Sequence, residues 1–320
     1  MIQNDRSTIV QRLGSFVQGN EQNIDLNIIG TSIFCLEDSL KTYLIKKAEI
    51  PVYGQYGPKI AEIIQRIIFE ATAKNTEISF YEAPQKRLNG TMQKNKRVCL
   101  FSCGIDSYSG ILNAQNKFGN VLACMTHHSD YKTIGKMLQT QKRILQAKKI
   151  PFRKFNAPPH KKGIRYSRGV LYLLNGLSLG HKEIIVSECG TTMFQPKFAP
   201  FDTVTKTTNP ELLLLAKSLA EKTLKKKIKI IEPNANLTKA EIIAACPDKS
   251  KIEQTHSCWT MRWCSDKKTH EGNCYGCITR QIGEIVAGVK DFTYRRVPFE
   301  EKENNDNQIC EILQLTRFSY

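Results

Sequence analysis

Between residues 97 and 245 short apolar runs alternate with longer amphipathic ones, and this alternation constrains the fold more than any other feature of the 320 residues. Residues 97–101, 121–126, 152–155, 183–187 and 228–231 read as strands. Residues 107–116, 131–148, 167–179, 210–224 and 238–245 carry helical spacing, as in Ile134, Leu138 and Leu145. Strand and helix in turn, with short connections, predict an α/β fold: a doubly wound parallel sheet with helices on both faces. Ligands of such sheets bind outside the carboxyl ends of the strands, where loops feed helix N-termini.

On either side of this core the pattern changes. The leading region, 1–95, reads as an α+β extension with strands at 24–29 and 78–81 around an amphipathic helix at 58–73 (Ile60, Ile63, Ile64, Ile67, Ile68). It ends in a polar linker, 85–96, containing Asn89-Gly90. Three parts are therefore expected: the extension 1–95, a nucleotide-binding domain 96–255, and a cysteine-rich region with a tail, 256–320. No repeat or low-complexity segment interrupts them.

Composition bounds the function classes. A 41% hydrophobic content supports a large core. The chain has no apolar run of membrane-spanning length, and Met1-Ile2-Gln3-Asn4-Asp5-Arg6 lacks a signal-peptide layout, so a soluble cytoplasmic protein without a membrane partner is expected. Eleven cysteines in such a compartment point to buried thiols or metal ligands rather than to a disulfide framework. A net charge of +17, with lysines concentrated at 222–229 and at Lys161-Lys162, favours an anionic ligand: a polyphosphate nucleotide or nucleic acid.

Directly after the first strand of the alternating region stands Ser102-Cys103-Gly104-Ile105-Asp106-Ser107, followed by a helix. A strand-to-helix turn aims unpaired backbone N–H groups and the positive helix end at one point. Gly104 keeps the backbone open to an oxyanion. Ser102 and Ser107 can donate hydroxyl hydrogen bonds, and Asp106 can hold Mg²⁺ against phosphates. A plain β–α turn with Asp/Ser capping is the competing reading. No Gly-Lys-Ser/Thr follows, so this is not a Walker-type loop.

Cys258, Cys264, Cys274 and Cys277 follow a C-x5-C-x9-C-x2-C spacing. The knuckle Cys274-Tyr275-Gly276-Cys277 presents two thiolates from one turn, and two further cysteines complete a tetrahedral shell for a structural zinc with no open position. His256 and His270 are reserve ligands. Trp259 and Trp263 are expected to pack the knuckle, and His127-His128 to sit exposed at a strand end.

The hexapeptide resembles the Ser-Gly-Gly-x-Asp-Ser loop of the N-type ATP pyrophosphatases, with Cys103 in place of the first glycine. Together with the cysteine cluster, it makes residues 97–290 similar to the 7-cyano-7-deazaguanine synthase family. Arg168, the segment Leu237-Thr238-Lys239-Ala240-Glu241-Ile242, and Cys274-x-x-Cys277-x-x-Arg280 carry the likeness further. Two departures stand out. Glu271 falls where the family has the first of three close cysteines, with Cys264 substituting, and Glu188 stands where the family has a substrate-binding asparagine. Residues 203–210 and the leading 95 residues are more similar to a longer, defence-associated branch.

The resemblance implies binding of Mg-ATP and of a deazapurine carboxylate, 7-carboxy-7-deazaguanine, whose adenylate is captured by an amine. That amine is ammonia, or it belongs to a partner protein. It implies Asp106, Lys239 and Arg168 as catalytic groups, residues 102–107 as the ATP loop, and Glu188, Thr208, Asn209 and Arg280 as substrate contacts. A second copy of the chain is a further candidate partner. Two other readings stand beside it: a tRNA-thiolating relative using Cys103 or Cys189, and a non-catalytic nucleotide- or RNA-binding scaffold.

Overall fold

Val98 and Leu100 pack on one side of a strand and Cys99 and Phe101 on the other, the period-2 division expected of a strand buried on both faces. The computed structural model describes residues 21–83, 97–128, 132–157, 166–194, 208–258, 270–272, 274–289 and 294. The strand is β3 (Arg97–Leu100), at the centre of a five-stranded sheet with β4 (Val121–His128), β5 (Phe152–Ala157), β6 (Glu183–Ile185) and β7 (Lys229–Ile231). The order is β5-β4-β3-β6-β7 and every pairing is parallel.

That order reverses direction at β3. From β3 the chain moves outward through α3 (Ile105–Phe118), β4, α4 (Lys132–Ala147) and β5. It then crosses back through α5 (Arg168–Leu177) to β6 on the other side of β3, and continues through α6 (Gly190–Met193) and α7 (Pro210–Leu224) to β7. Residues of α3, α4 and α8 (Lys239–Ala244) share one core layer with Cys99, Val121, Ala123, Met125 and Ile185. Residues of α5 and α7 share the opposite layer with Val98, Leu122, Cys124, Ile184 and Val186. The sheet is thus covered on both faces, as the alternation predicts. The loops after β3 and β6 diverge to opposite faces and leave a crevice at the carboxyl edge between them.

The leading region departs from its sequence reading. Residues 24–29 are not a strand; they lie inside α1 (Glu21–Thr42), buried on most sides. A short apolar run in a helix enclosed all round has no exposed face to reveal its period. β1 (Lys47–Val52), α2 (Pro58–Thr72) and β2 (Glu77–Glu82) follow, and β1 pairs with β2 in parallel, so this is a β-α-β unit. Its Ile50, Ile64, Ile67 and Ile78, with Ile28, Ile29 and Ile33 of α1, belong to the same hydrophobic cluster as α5, α7 and the sheet. The linker expected at 85–96 lies outside the described residues. Among the described residues no helix is long and apolar enough to cross a membrane.

Candidate active site and metal centre

Gly104 is the N-cap of α3 and supplies no side-chain cap, so the first-turn N–H groups face the 102–107 loop uncapped. Ser107 Oγ donates to the Gly104 carbonyl at 3.0 Å and lies 3.2 Å from Ser102 Oγ, bringing both hydroxyls to the mouth of the turn. Cys103 occupies the left-handed region, φ 70°, and is fully buried. The glycine expected there would adopt that conformation without a Cβ penalty. Burial pushes the Cys103 thiol up to about 12, against the pull of Arg280, so it stays protonated at neutral pH.

Lys239 opens α8, whose start is fixed by a capping box between Thr238 and Glu241. Its ammonium pairs with Asp106 Oδ2, joining the loop after β7 to the loop after β3. Burial by itself would lower the Lys239 pKa, but Asp106, Cys189 and Glu188 outweigh it and hold the ammonium above its usual value. Asp106 Oδ1 is buried and has no hydrogen-bond partner among the described residues. A buried carboxylate oxygen left without a donor has the chemistry of a divalent-cation ligand.

Glu188 follows β6, on the other side of the crevice. Burial, then the Asp106 charge, raises its carboxyl from 4.5 to about 7, while Lys239 and Arg168 pull it back down. Arg168 is the first residue of α5, with its guanidinium 6.0 Å from the Tyr172 ring centre. Asp106, Lys239, Glu188 and Arg168, all named in the sequence, thus form one electrostatic group at the carboxyl edge. Two glycines that sequence reading passed over allow this convergence. A Cβ on Gly110 of α3 would lie 2.1 Å from Ser187 Oγ, next to Glu188, and one on Gly283 would lie 2.8 Å from Lys239 Cγ.

The other expected substrate residues fare differently. Asn209 is the N-cap of α7, its side-chain oxygen accepting from the Glu211 and Leu212 amides. Thr208 is buried, and its Oγ1 has no partner among the described residues. The topology puts the start of α7 at the same edge as the Asp106 group. Residues 203–207 lie outside the described residues. Arg280, expected as a substrate contact, is held by protein acceptors. It is fully buried, with Nε on Glu284 (2.6 Å), Nη1 on the Thr255 carbonyl (2.9 Å) and His270 Nε2 (3.0 Å), and Nη2 on the Ile252 carbonyl (2.8 Å). Every arm of its fork is spent on protein acceptors.

Arg280 lies on α9 (Tyr275–Val286), which carries Cys277 and is capped by Cys274. Cys258, Cys274 and Cys277 bring their sulfurs within 4.8 Å of one another, a group that could hold a metal ion such as zinc. Cys274 Sγ lies 3.4 Å from Cys277 Sγ and 3.9 Å from Cys258 Sγ. Tetrahedral zinc–thiolate bonds of about 2.3 Å put sulfurs about 3.8 Å apart, so the spacing fits. The Cys258 and Cys274 sulfurs, then burial, push the Cys277 thiol far up; three such groups ionise together only around a cation. Cys264, the expected fourth ligand, and the flanking Trp259 and Trp263 lie outside the described residues. His270, a reserve ligand by sequence, uses Nε2 to accept from the Ser257 amide at 3.1 Å and stacks on His256, with ring centres 5.3 Å apart. His127, expected to be exposed, is buried, and its burial lowers its pKa to about 4.

Fold and site together define an α/β protein with a parallel five-stranded sheet, a charged group at its switch point and a three-cysteine group beside it. Compared with known proteins, the chain matches no family model and no curated sequence.

Proposed function

We propose that the chain is an ATP-dependent, AMP-forming ligase of the N-type ATP pyrophosphatase fold, similar to the 7-cyano-7-deazaguanine synthases. The observation that carries the reading is the meeting of the uncapped 102–107 turn with the Asp106–Lys239 pair at the switch point, with Asp106 Oδ1 unpartnered among the described residues. The carboxylate oxygen of 7-carboxy-7-deazaguanine attacks the α-phosphorus of ATP, and pyrophosphate leaves. The loop amides, Ser102 and Ser107 bind phosphate oxygens, and Lys239 balances the charge that builds on them. Asp106 would hold Mg²⁺, which would supply further charge neutralisation.

An amine nitrogen then attacks the acyl carbon, AMP leaves with the former carboxylate oxygen, and the nitrogen loses a proton to give an amide. With ammonia as the amine, the amide oxygen attacks the α-phosphorus of a second ATP, pyrophosphate leaves, and loss of AMP and of both N–H protons gives the nitrile. With an amine of a partner protein, the amide is a deazaguanine–protein conjugate. Glu188, holding its proton up to about pH 7, offers an O–H and a C=O where the resembling family offers an asparagine amide. Arg168 suits the planar anionic end of the substrate. Cys258, Cys274 and Cys277, with Cys264 as the expected fourth ligand, would hold a structural zinc that closes the region behind Lys239.

The thiolation reading is disfavoured by Cys103 and Cys189, which are buried thiols with raised pKa values rather than exposed nucleophiles. Incubation with ATP and 7-carboxy-7-deazaguanine tests the proposal. AMP and pyrophosphate should appear only when the carboxylate is present, and mass spectrometry of the products and of candidate partner proteins identifies the amine. Absence of AMP from a folded, metal-loaded chain, together with salt-sensitive RNA binding, would favour the scaffold instead.

A further inference from the structure

Helix α5 begins without a cap of its own: Ser167, at the N-cap position, makes no side-chain cap. The turn that leads into it is held instead by a residue of α1. The Glu37 carboxylate of α1 accepts from the Tyr166 amide at 2.9 Å, the Ser167 amide at 2.8 Å and the Ser167 hydroxyl at 2.6 Å. Lys41, one turn on, pairs with it at 2.9 Å. The Glu37 side chain is only 1% exposed, and it places its carboxylate at the positive end of α5. The next residue along α5 is Arg168.

A second contact fixes the far end of the same helix. Asn27 Nδ2 donates to Asn175 Oδ1 at 2.6 Å, and Asn175 Nδ2 donates to Thr126 Oγ1 at 3.2 Å, on the carboxyl half of β4. Between the two, a Cβ on Gly30 would lie 3.1 Å from Leu174 Cβ, so α1 and α5 lie close along their length. α1 therefore sets both the rotation and the height of α5, and with them the point from which the Arg168 side chain starts.

We propose that Glu37 is a positioning residue for Arg168, so that the leading region, through α1, is a working part of the candidate active site rather than an appendage to it. This rests on the reading of Arg168 as a substrate contact. It is tested by a double-mutant cycle with Glu37→Gln and Arg168→Ala, read in two ways. The first is KM for 7-carboxy-7-deazaguanine in carboxylate-dependent AMP formation. Glu37→Gln should raise KM about tenfold, with a smaller change in kcat, and should add less than about twofold once Arg168 is gone.

The second reading needs no activity: the titration midpoint of Glu188, followed by carbon NMR of the labelled carboxyl and assigned with Glu188→Gln. Asp106, Lys239 and Arg168 all act on that carboxyl, and Arg168 holds it down. Glu37→Gln should therefore move the midpoint upward, as Arg168→Ala does, and the two shifts should not add. Should Glu37→Gln fold poorly, Ser167→Ala removes a single contact and should move the midpoint in the same direction by less. An unmoved midpoint alongside a lower melting temperature, or full additivity, overturns the proposal. If the wild-type chain makes no AMP, the ligase reading fails and the midpoint alone decides the role of Glu37.

Discussion

The backbone N–H of His256 donates to the carbonyl of Cys103 at 2.8 Å. This bond joins the loop that opens α3 to the segment entering the cysteine group, and it holds the one loop residue with left-handed backbone. Behind it, Arg280 ties Thr255 and Ile252 to α9. The three-cysteine group and the candidate phosphate loop are thus braced against each other through main-chain contacts.

Removing Arg280 should therefore disturb both. In Arg280→Met, Glu284 loses its cation while keeping the Tyr294 hydroxyl, and the Thr255 and Ile252 carbonyls each lose a guanidinium donor; breaking such a buried pair costs about 3–5 kcal/mol. Urea unfolding should show this loss, and nucleotide affinity should fall with it. Unchanged stability would remove the brace.

Metal analysis of the purified chain should find about one zinc per chain, and Cys277→Ser should lose it. Chelation should lower the melting temperature by about 10 °C or more, since metal binding by a structural site is coupled to folding. Full metal retention in Cys277→Ser would place the ligands elsewhere.

Cys103→Ser and Cys189→Ser should each keep turnover within about threefold, because both thiols are buried and protonated. Abolished turnover in either, from a folded chain, would bring thiol chemistry back.

The raised Glu188 pKa has a definite sign in stability. The carboxyl holds its proton more tightly folded, at about 7, than at the ordinary 4.5, so its contribution is complete below about 4.5 and is lost as pH rises through 7. Wild type should lose stability on the order of 2 kcal/mol across that window relative to Glu188→Gln. Parallel pH profiles in chemical denaturation would show that the Glu188 carboxyl is not raised beside Asp106.

The alternating sheet, the loop and three of the four cysteines were legible because each is a local pattern: a period, a turn, a spacing. Even the left-handed Cys103 was signalled, since the resembling loop has glycine there. Residues 24–29 misled because α1 is enclosed, so its apolar run has no polar face to set a helical period. Arg280 entered as a substrate contact through the family resemblance alone, and spacing gave no sign that its acceptors include carbonyls of a segment 25 and 28 residues earlier. Glu37 carries no local signal at all; what it caps lies beyond β5. Side chains whose purpose is a distant backbone amide leave no trace in spacing or composition.

The most direct measurement of the ligase reading is exchange of labelled pyrophosphate into ATP, which reports reversible formation of the acyl adenylate without needing the amine. Exchange that requires 7-carboxy-7-deazaguanine and falls by about 100-fold or more in Asp106→Asn is the expected result. No carboxylate-dependent exchange by the folded, metal-loaded chain, or exchange untouched by Asp106→Asn, would contradict it.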